Sequence, residues 1–289
     1  MKSCVLSVVY PKAAVYLNDF LDSWVAQEDK DFEFLLINDG VAQLEKKCAD
    51  LKLKTRVLAA SGSPTALRKK AIAWALEAGF ETVIFADADD TFDKTRVAVS
   101  KAVVRESGLV FNELTLFGDR IQGQMPLFEG RLKEGAQIAE NDVLDANCLG
   151  LSNSAVSAKL LAGVFEMAPD DILVYDWALF SRVLHRGAKA TFTGKTRTHY
   201  RRYEGNLAGL PPLADEDILR GVRVKAEHYA SLTSLGPEYS SRAREFKALD
   251  TKLASDSVFK QRYCSAVKTV PPKNNWWWET IKKEGELGS

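Results

Sequence analysis

The sequence contains few of the residues that disulfide frameworks and zinc sites require. Four cysteines and three histidines are scattered over 289 residues, without the paired spacing of a metal site. Widely spaced cysteines indicate a reduced, cytoplasmic protein whose thiols are structural. A secreted disulfide scaffold and a zinc protein are therefore not expected.

An excess of charge of either sign is also lacking. Lys and Arg together number 39, and so do Asp and Glu, which gives a formal net charge of zero. A balanced composition produces no broad positive field of the kind that attracts nucleic acid, so no nucleic-acid partner is expected.

The beginning of the chain has no long apolar run. The N-terminus, MKSCVLSVVYPK, has only nine residues between its two lysines, which is too few to span a bilayer. It also lacks the small-residue cleavage site of a signal peptide. We interpret this stretch as a β-strand and expect the protein to be cytoplasmic.

Apolar stretches and helical patterns alternate over the first ninety residues. Four apolar stretches predict strands at 4–10, 32–37, 55–60 and 81–87, and the segments between them favour helices. Ser63 and Pro64 provide an N-cap and a first-turn proline for the third helix. Alternation with short links predicts an α/β fold with a parallel sheet and right-handed crossovers.

The rest of the chain is less regular and then becomes helical. A strand is predicted at 109–117, a helix at 176–186 that ends at Gly187, and a strand at 188–194. Charged amphipathic segments follow over 214–265. The change in composition at Pro211 predicts a first domain at 1–210 and a helical C-terminal extension at 211–289.

Polar residues follow each of the four strands predicted in the first part of the chain. They are Tyr10-Pro11, Asn38-Asp39-Gly40, Ser61-Gly62-Ser63 and Asp87-Ala88-Asp89-Asp90. Ligands of an open parallel sheet bind beyond the carboxyl ends of its strands, so we expect these residues to meet at one edge. The chemistry suits a nucleotide diphosphate with Mg²⁺ or Mn²⁺, which carboxylates and phosphate oxygens hold together.

Individual roles follow from the chemistry of these side chains. Asp87 and Asp89 can address the ribose and the metal, with Asp90 in support. The Asp39 carboxylate accepts hydrogen bonds only, so it would pair with the ring N–H of uracil or thymine and disfavour cytosine. Arg68, one turn into its helix, could reach a phosphate with its guanidinium.

The order of these features resembles glycosyltransferase family 2, inverting enzymes of the GT-A fold. The resemblance covers residues 3–210 and rests on the segments VLSVVYPK, INDGV, SGSPTALRKKAIAWA, FADADD, VYDWALFSRVLHRGAKA and THYRRYEGN. It implies a Rossmann-like, mostly parallel sheet flanked by helices. It also implies transfer of a sugar from a UDP- or dTDP-type nucleotide sugar to a hydroxyl of a glycan or glycolipid, as in polysaccharide or lipopolysaccharide biosynthesis.

The resemblance also implies residue roles. Asp176 would be the catalytic base and Asp89 the ligand of Mn²⁺ or Mg²⁺, with His199 as a second candidate ligand. The donor nucleotide would contact Tyr10, Pro11, Asp39, Arg68, Asp87 and Arg201. The sequence departs from the family pattern at Tyr203, where a histidine often follows the Tyr-Arg pair.

Two other functions fit part of the sequence. VIFADADDTF also resembles the opening motif of haloacid-dehalogenase-like phosphatases, with Asp87 as nucleophile and Asp89 as acid and base. That motif normally lies on the first strand, whereas three strand–helix units precede it here. A degenerate protein that binds nucleotide sugars without catalysis is the second alternative.

Structural roles also remain open for some of these residues: Asp90 or Thr91 could cap the next helix, and Asp39 could form an Asx-turn.

Three consecutive tryptophans, Trp276, Trp277 and Trp278, stand near the end of the chain. Adjacent residues of a helix diverge by about 100°, so three in a row would not all face one core. Lysines flank them, and tryptophan is enriched at membrane interfaces. We therefore expect either a peripheral contact at the inner face of a membrane or a tail folded back onto the domain.

Overall fold

The computed structural model describes residues 1–118, 123–203 and 213–287. Its strands are Ser3–Val9 (β1), Glu33–Asn38 (β2), Thr55–Ala59 (β3), Thr82–Asp87 (β4), Thr91–Phe92 (β5), Leu109–Gly118 (β6), Met125–Pro126 (β7), Gln137–Ile138 (β8), Ser154–Ser157 (β9) and Ala190–Arg202 (β10). Its α-helices are Leu17–Val25 (α1), Leu44–Ala49 (α2), Pro64–Glu77 (α3), Arg96–Ser107 (α4), Ala158–Leu161 (α5), Tyr175–His185 (α6), Asp215–Ser231 (α7), Pro237–Ser255 (α8) and Ser257–Thr269 (α9).

One sheet runs through the molecule in the order β3-β2-β1-β4-β9-β6-β10-β5, with β7 beside β6 and β8 beside β10. The first four strands are parallel to one another, as the alternating pattern predicts. Beyond β4 the sheet is mixed, because β9 is antiparallel to both β4 and β6, while β10 is parallel to β6. The α/β prediction is confirmed, but the short strands β5, β7, β8 and β9 were missed, and β10 extends beyond its predicted end at 194.

The helix termini follow the local sequence in two places and depart from it in one. Helix α3 begins at Pro64, and Ser63 Oγ accepts a hydrogen bond from the Ala66 backbone N–H at 3.1 Å. Helix α6 ends before Gly187, whose φ of 89° few other residues adopt. The alternative that Asp90 or Thr91 caps the next helix is wrong, since α4 begins only at Arg96.

Successive residues of the central strands face opposite sides of the sheet, and each side has its own core. Leu6 and Phe85 pack into the cluster that includes α3, α6 and the C-terminal helices. Val5 and Ile84 pack into the cluster formed with α1 and α4. This alternation explains why the strands are apolar throughout: both faces are covered.

The C-terminal helices share a core with the sheet. Tyr229 of α7, Phe246 of α8 and Tyr263 of α9 belong to the same buried cluster as Phe85. The predicted domain boundary at 210–211 lies outside the described residues. Among the residues that the structure describes, no helix is long and apolar enough to cross a membrane.

The tryptophan run is folded back onto the domain, and the expected membrane contact is not supported. Trp276, Trp277 and Trp278 expose only 7%, 6% and 3% of their surface. The argument against burial assumed a helix, but this segment is not helical: Asn275 and Trp278 have φ values of 57° and 65°. An irregular backbone allows all three rings to turn inward.

Candidate active site

A cavity of about 520 Å³ opens at the carboxyl edge of the parallel strands. Residues after all four strand ends line it: Tyr10, Asp39, Ser63, and the pair Asp87 and Asp89. Arg68 and Asp176 line the same cavity. The structure thus brings together most of the residues selected from the sequence, whereas Pro11, His199 and Arg201 are not among those that line the cavity.

Asp87 and Arg68 form an ion pair on the cavity wall. Arg68 Nη2 lies 3.5 Å from Asp87 Oδ1, and about a third of each side chain is exposed. Burial raises the pKa of Asp87, the Arg68 charge lowers it, and the nearby Asp89 raises it again. The pair places one positive and one negative group where a nucleotide diphosphate would lie.

Two tyrosines hold the Asp89 carboxylate. Asp89 Oδ2 accepts hydrogen bonds from the hydroxyls of Tyr10 at 3.0 Å and Tyr203 at 2.8 Å. Burial and the neighbouring Asp89 charge raise the pKa of both phenols, so both remain protonated donors. Tyr203, which stands where the family often has histidine, therefore orients the candidate metal ligand.

Asp90 turns away from the cavity and secures the turn. It is 1% exposed, and its two oxygens accept hydrogen bonds from Ser152 Oγ at 2.5 Å and the Arg201 backbone N–H at 2.9 Å. Burial, together with the charges of Asp89 and Asp87, raises its pKa well above the usual range. Its role is to tie the acidic turn to β10.

Arg201 and His199 of β10 lie behind the acidic turn. Arg201 Nε donates to the Asp89 backbone oxygen at 2.9 Å, and its Nη2 lies 2.8 Å from Asp19 Oδ2. His199 Nε2 lies 2.9 Å from Asp93 Oδ1. The geometry therefore gives no support to a metal role for His199 or a pyrophosphate role for Arg201. Arg201 instead braces the turn that carries Asp89.

Asp176 lies in the first turn of α6. Burial raises its pKa to about 6, against the lowering effects of the Arg68 charge and the Trp177 backbone N–H, which donates to Asp176 Oδ1 at 2.7 Å. Asp87 raises it further. A carboxylate with this pKa is mostly ionised at neutral pH and is more basic than an exposed aspartate, which suits proton abstraction.

A divalent cation fits this cavity only as a partner of phosphate. In the described ranges 1–118, 123–203 and 213–287, no cluster of three or more His, Cys, Asp or Glu side chains could hold a metal alone. Mg²⁺ commonly binds one or two protein carboxylates together with the phosphates of its substrate. Asp89, beside Asp87, matches that requirement and would be the protein ligand.

The cavity is also lined by residues to which the sequence analysis gave no role in the site. Asn147, Gly150, Tyr200, Trp277 and Trp278 line it. Asn147 and Gly150 precede β9, Tyr200 lies in the segment THYRRYEGN, and the two tryptophans belong to the run at 276–278. The tryptophan run was noticed, but a run of aromatic residues gives no indication of which surface it covers.

A buried arginine supports the loop before β9. The Arg96 side chain is fully buried, and its Nη2 donates to the Ser154 carbonyl at 3.1 Å and the Ser152 carbonyl at 3.4 Å. Burial lowers its pKa to about 9. Because Ser152 also binds Asp90, Arg96 indirectly supports the acidic turn. Its position in a charged helical segment gave no hint of this.

The fold and the cavity together define the class of protein: a GT-A fold with an acidic cavity at the carboxyl edge of its parallel strands. The predicted fold is thereby confirmed. No protein-family model matches the chain, and no curated protein matches its sequence.

The comparison with solved structures carries the fold assignment. S. aureus TarS 1–349 in complex with UDP-GlcNAc has a TM-score of 0.60 and 16% identity, over 94% of this chain and 82% of that one. The same TarS segment in complex with UDP has a TM-score of 0.60 over 94% of this chain and 76% of that one. GalNAc-T7 with UDP, GalNAc and Mn²⁺ has a TM-score of 0.54 and 11% identity, over 88% of this chain and 57% of that one.

Proposed function

We propose that this chain is an inverting, family 2-like glycosyltransferase. It moves a sugar from a UDP- or dTDP-type nucleotide sugar to a hydroxyl of a glycan or glycolipid. One observation carries the proposal: Asp39, Asp87, Asp89 and Asp176 open into a single cavity of a GT-A fold. Structures of the same fold contain UDP and UDP-GlcNAc, which is consistent with such a donor.

The spacing of the strands supports the orientation of the donor. Asp39 follows β2 and Asp87 is the last residue of β4, with β1 between the two strands. Neighbouring strands lie about 4.8 Å apart, so these two sites are separated by roughly 10 Å, about the length of a nucleoside. A uracil or thymine at Asp39 would therefore direct its ribose and diphosphate toward Asp87, Arg68 and Asp89.

Asp176 acts as the general base in this mechanism. Its carboxylate takes the proton from the acceptor hydroxyl while that oxygen bonds to the anomeric carbon and the bond to the nucleotide diphosphate breaks. General-base assistance is worth about 10²–10⁴-fold in rate. The Arg68 guanidinium stabilises charge on the departing diphosphate, and a divalent cation held by Asp89 would neutralise more of it.

The test is incubation with UDP- and dTDP-sugars and a panel of acceptor glycosides, with Mn²⁺, Mg²⁺ or EDTA, while the released nucleotide diphosphate is measured. Release that EDTA and Asp89→Ala both abolish supports the proposal, and the exposed Asp50→Asn variant is the matched control. Binding without turnover indicates a degenerate protein. Release of inorganic phosphate from a phosphomonoester instead supports the phosphatase alternative. An NMR spectrum of the product that shows a retained anomeric configuration would contradict inversion.

A further inference from the structure

The C-terminal segment is part of the cavity wall, yet the proposed chemistry leaves it without a role. Trp277 and Trp278 line the cavity, whereas the equally buried Trp276 is not among the lining residues. Trp277 exchanges two backbone hydrogen bonds with Asn147, at 3.0 and 2.9 Å. Its ring also lies 6.2 Å from that of Tyr200, between centroids. The segment is therefore fixed against the domain.

Helix α7 holds this segment at a specific close contact. A side chain added at Gly221 would place its Cβ 2.8 Å from Ile281 Cγ1 and 3.2 Å from Trp278 Cε3. A glycine inside a helix costs about 1 kcal/mol relative to alanine. The chain thus accepts a poor helix former where Trp278 and Ile281 pack against the helix.

A buried lysine one turn further along α7 secures the same segment. Lys225 Nζ donates to the backbone oxygens of Ile281 and Asp145, both at 2.6 Å. Burial lowers its pKa to about 7. It joins the tail to the loop that carries Asn147, the pairing partner of Trp277.

The same face of α7 contacts the residue beside the candidate base. Gly221, Lys225 and His228 recur at i, i+4 and i+7, which places them on one face. The His228 ring stacks on Trp177, with centroids 3.8 Å apart. Seven residues span about 10 Å of helix. Helix α7 therefore contacts both Trp278 and the first turn of α6, which bears Asp176.

We propose that Trp277 and Trp278 form an acceptor wall, a subsite for a sugar ring of the carbohydrate acceptor. The inference rests on the proposed function, because a catalytic base must contact the acceptor hydroxyl, and helix α7 contacts both Trp278 and Trp177, the neighbour of Asp176. The nucleotide occupies the other side, at the ends of β1 to β4. A pyranose ring has an apolar face of C–H groups that packs on an aromatic surface. The positive φ of Trp278 shows that the backbone is strained to place this ring.

The direct test is ¹⁹F NMR of the full chain labelled with 5-fluorotryptophan, with resonances assigned from Trp→Phe variants. The probes are UDP, UDP-GlcNAc, and the methyl glycosides of glucose, galactose, mannose and N-acetylglucosamine. In the presence of UDP, at least one glycoside is expected to shift the Trp277 and Trp278 resonances and to leave that of Trp276 unchanged. No shift with any glycoside, or an equal shift at Trp276, would overturn the proposal.

Kinetics separate this wall from a donor-sugar site. For a glycoside that accepts sugar, Trp277→Phe and Trp278→Phe should raise the acceptor KM about 3- to 10-fold. Trp276→Phe should not, and none of the three should change the KM for the nucleotide sugar. A rise in the donor KM alone, or a shift of both resonances by UDP-GlcNAc but not by UDP, would assign the wall to the donor. If no UDP- or dTDP-type nucleotide or nucleotide sugar binds, the proposed function itself fails.

Discussion

The two sides of the cavity are built in different ways. The side that contains Tyr10, Asp39, Ser63 and Asp87 comes from the ends of four parallel strands in the first ninety residues. The side that contains Trp277 depends on the C-terminal segment of the chain. Sheet topology alone assembles the first side, whereas the second exists only when the C-terminal segment is docked. Donor binding and acceptor binding should therefore be separable by mutation.

The two sides also differ in charge. Asp87, Asp89 and Arg68 give the strand-end side several ionised groups for a diphosphate and a cation. The other side presents mainly indole rings, and the nearby ammonium of Lys225 is directed at backbone oxygens. We therefore expect the charged part of the ligands, the diphosphate, on the first side and an uncharged ring on the second.

The largest expected effect comes from Asp176→Asn, at the junction of the two sides. Asparagine keeps the shape of the side chain but cannot take the acceptor proton, so transfer should fall about 10²–10⁴-fold. Calorimetry should show unchanged affinity for UDP, since the strand-end side is intact. Full transfer activity in this variant would refute the assigned base.

The same variant should be more stable than the native chain at neutral pH. The pKa of Asp176 rises from 3.8 to about 6 on folding, mainly through burial. The contribution of the Asp176 proton to the free energy of unfolding is therefore complete below pH 3.8, and it is lost as the pH rises through about 6. A pKa difference of about 2 corresponds to about 3 kcal/mol.

Urea unfolding at several pH values tests this linkage. The advantage of Asp176→Asn should be near 3 kcal/mol at pH 7.5 and decrease as the pH falls toward 5, while Asp50→Asn follows the native chain. An advantage that does not change with pH would mean that Asp176 is not held at a raised pKa. The result would show how far the site sacrifices stability for a basic carboxylate.

The contrast between the two sides also explains what the sequence could reveal. Asp39 and Asp87 were predictable because a parallel sheet brings successive strand ends together, whatever the remaining contacts. Tyr203 and Arg96 were not, because their roles depend on which residue lies opposite after folding. For Trp277 the sequence left a membrane contact and a tail folded back onto the domain open, because helical geometry was assumed for a segment whose positive φ angles no propensity predicts.

Gly221→Ala should weaken the packing of the C-terminal segment against α7, on the acceptor side, and leave the strand-end side intact. The added methyl would approach Ile281 Cγ1 to 2.8 Å, and overpacking of this kind costs about 1–3 kcal/mol. The better helix propensity of alanine offsets about 1 kcal/mol of that, so a net loss of up to about 2 kcal/mol is expected in urea unfolding. UDP affinity should not change.

Two further variants check that explanation. Gly285→Ala is the matched control, because no atom lies within 4 Å of the added Cβ, and it should be neutral. In the double variant with Ile281→Ala, the cost should be smaller than the sum of the two single costs, since the clash has been removed. Additive costs would show that the tail does not pack on Gly221 in solution.

The smallest expected effect concerns the strand-end side, through Asp39→Asn. A carboxylate pairs with the ring N–H of uracil, whereas cytosine presents an acceptor at that position and would need a donor. The asparagine amide offers both a hydrogen-bond acceptor and a donor. The affinity for UDP should therefore fall about tenfold, about 1.4 kcal/mol, and the affinity for CDP should rise. Calorimetry with both nucleotides measures the ratio, with Asp50→Asn as the control. Because Asp39 lies on the side that sheet topology builds, the KM for an acceptor glycoside should stay constant. A change in that KM together with the nucleotide preference would mean that the two sides are not independent.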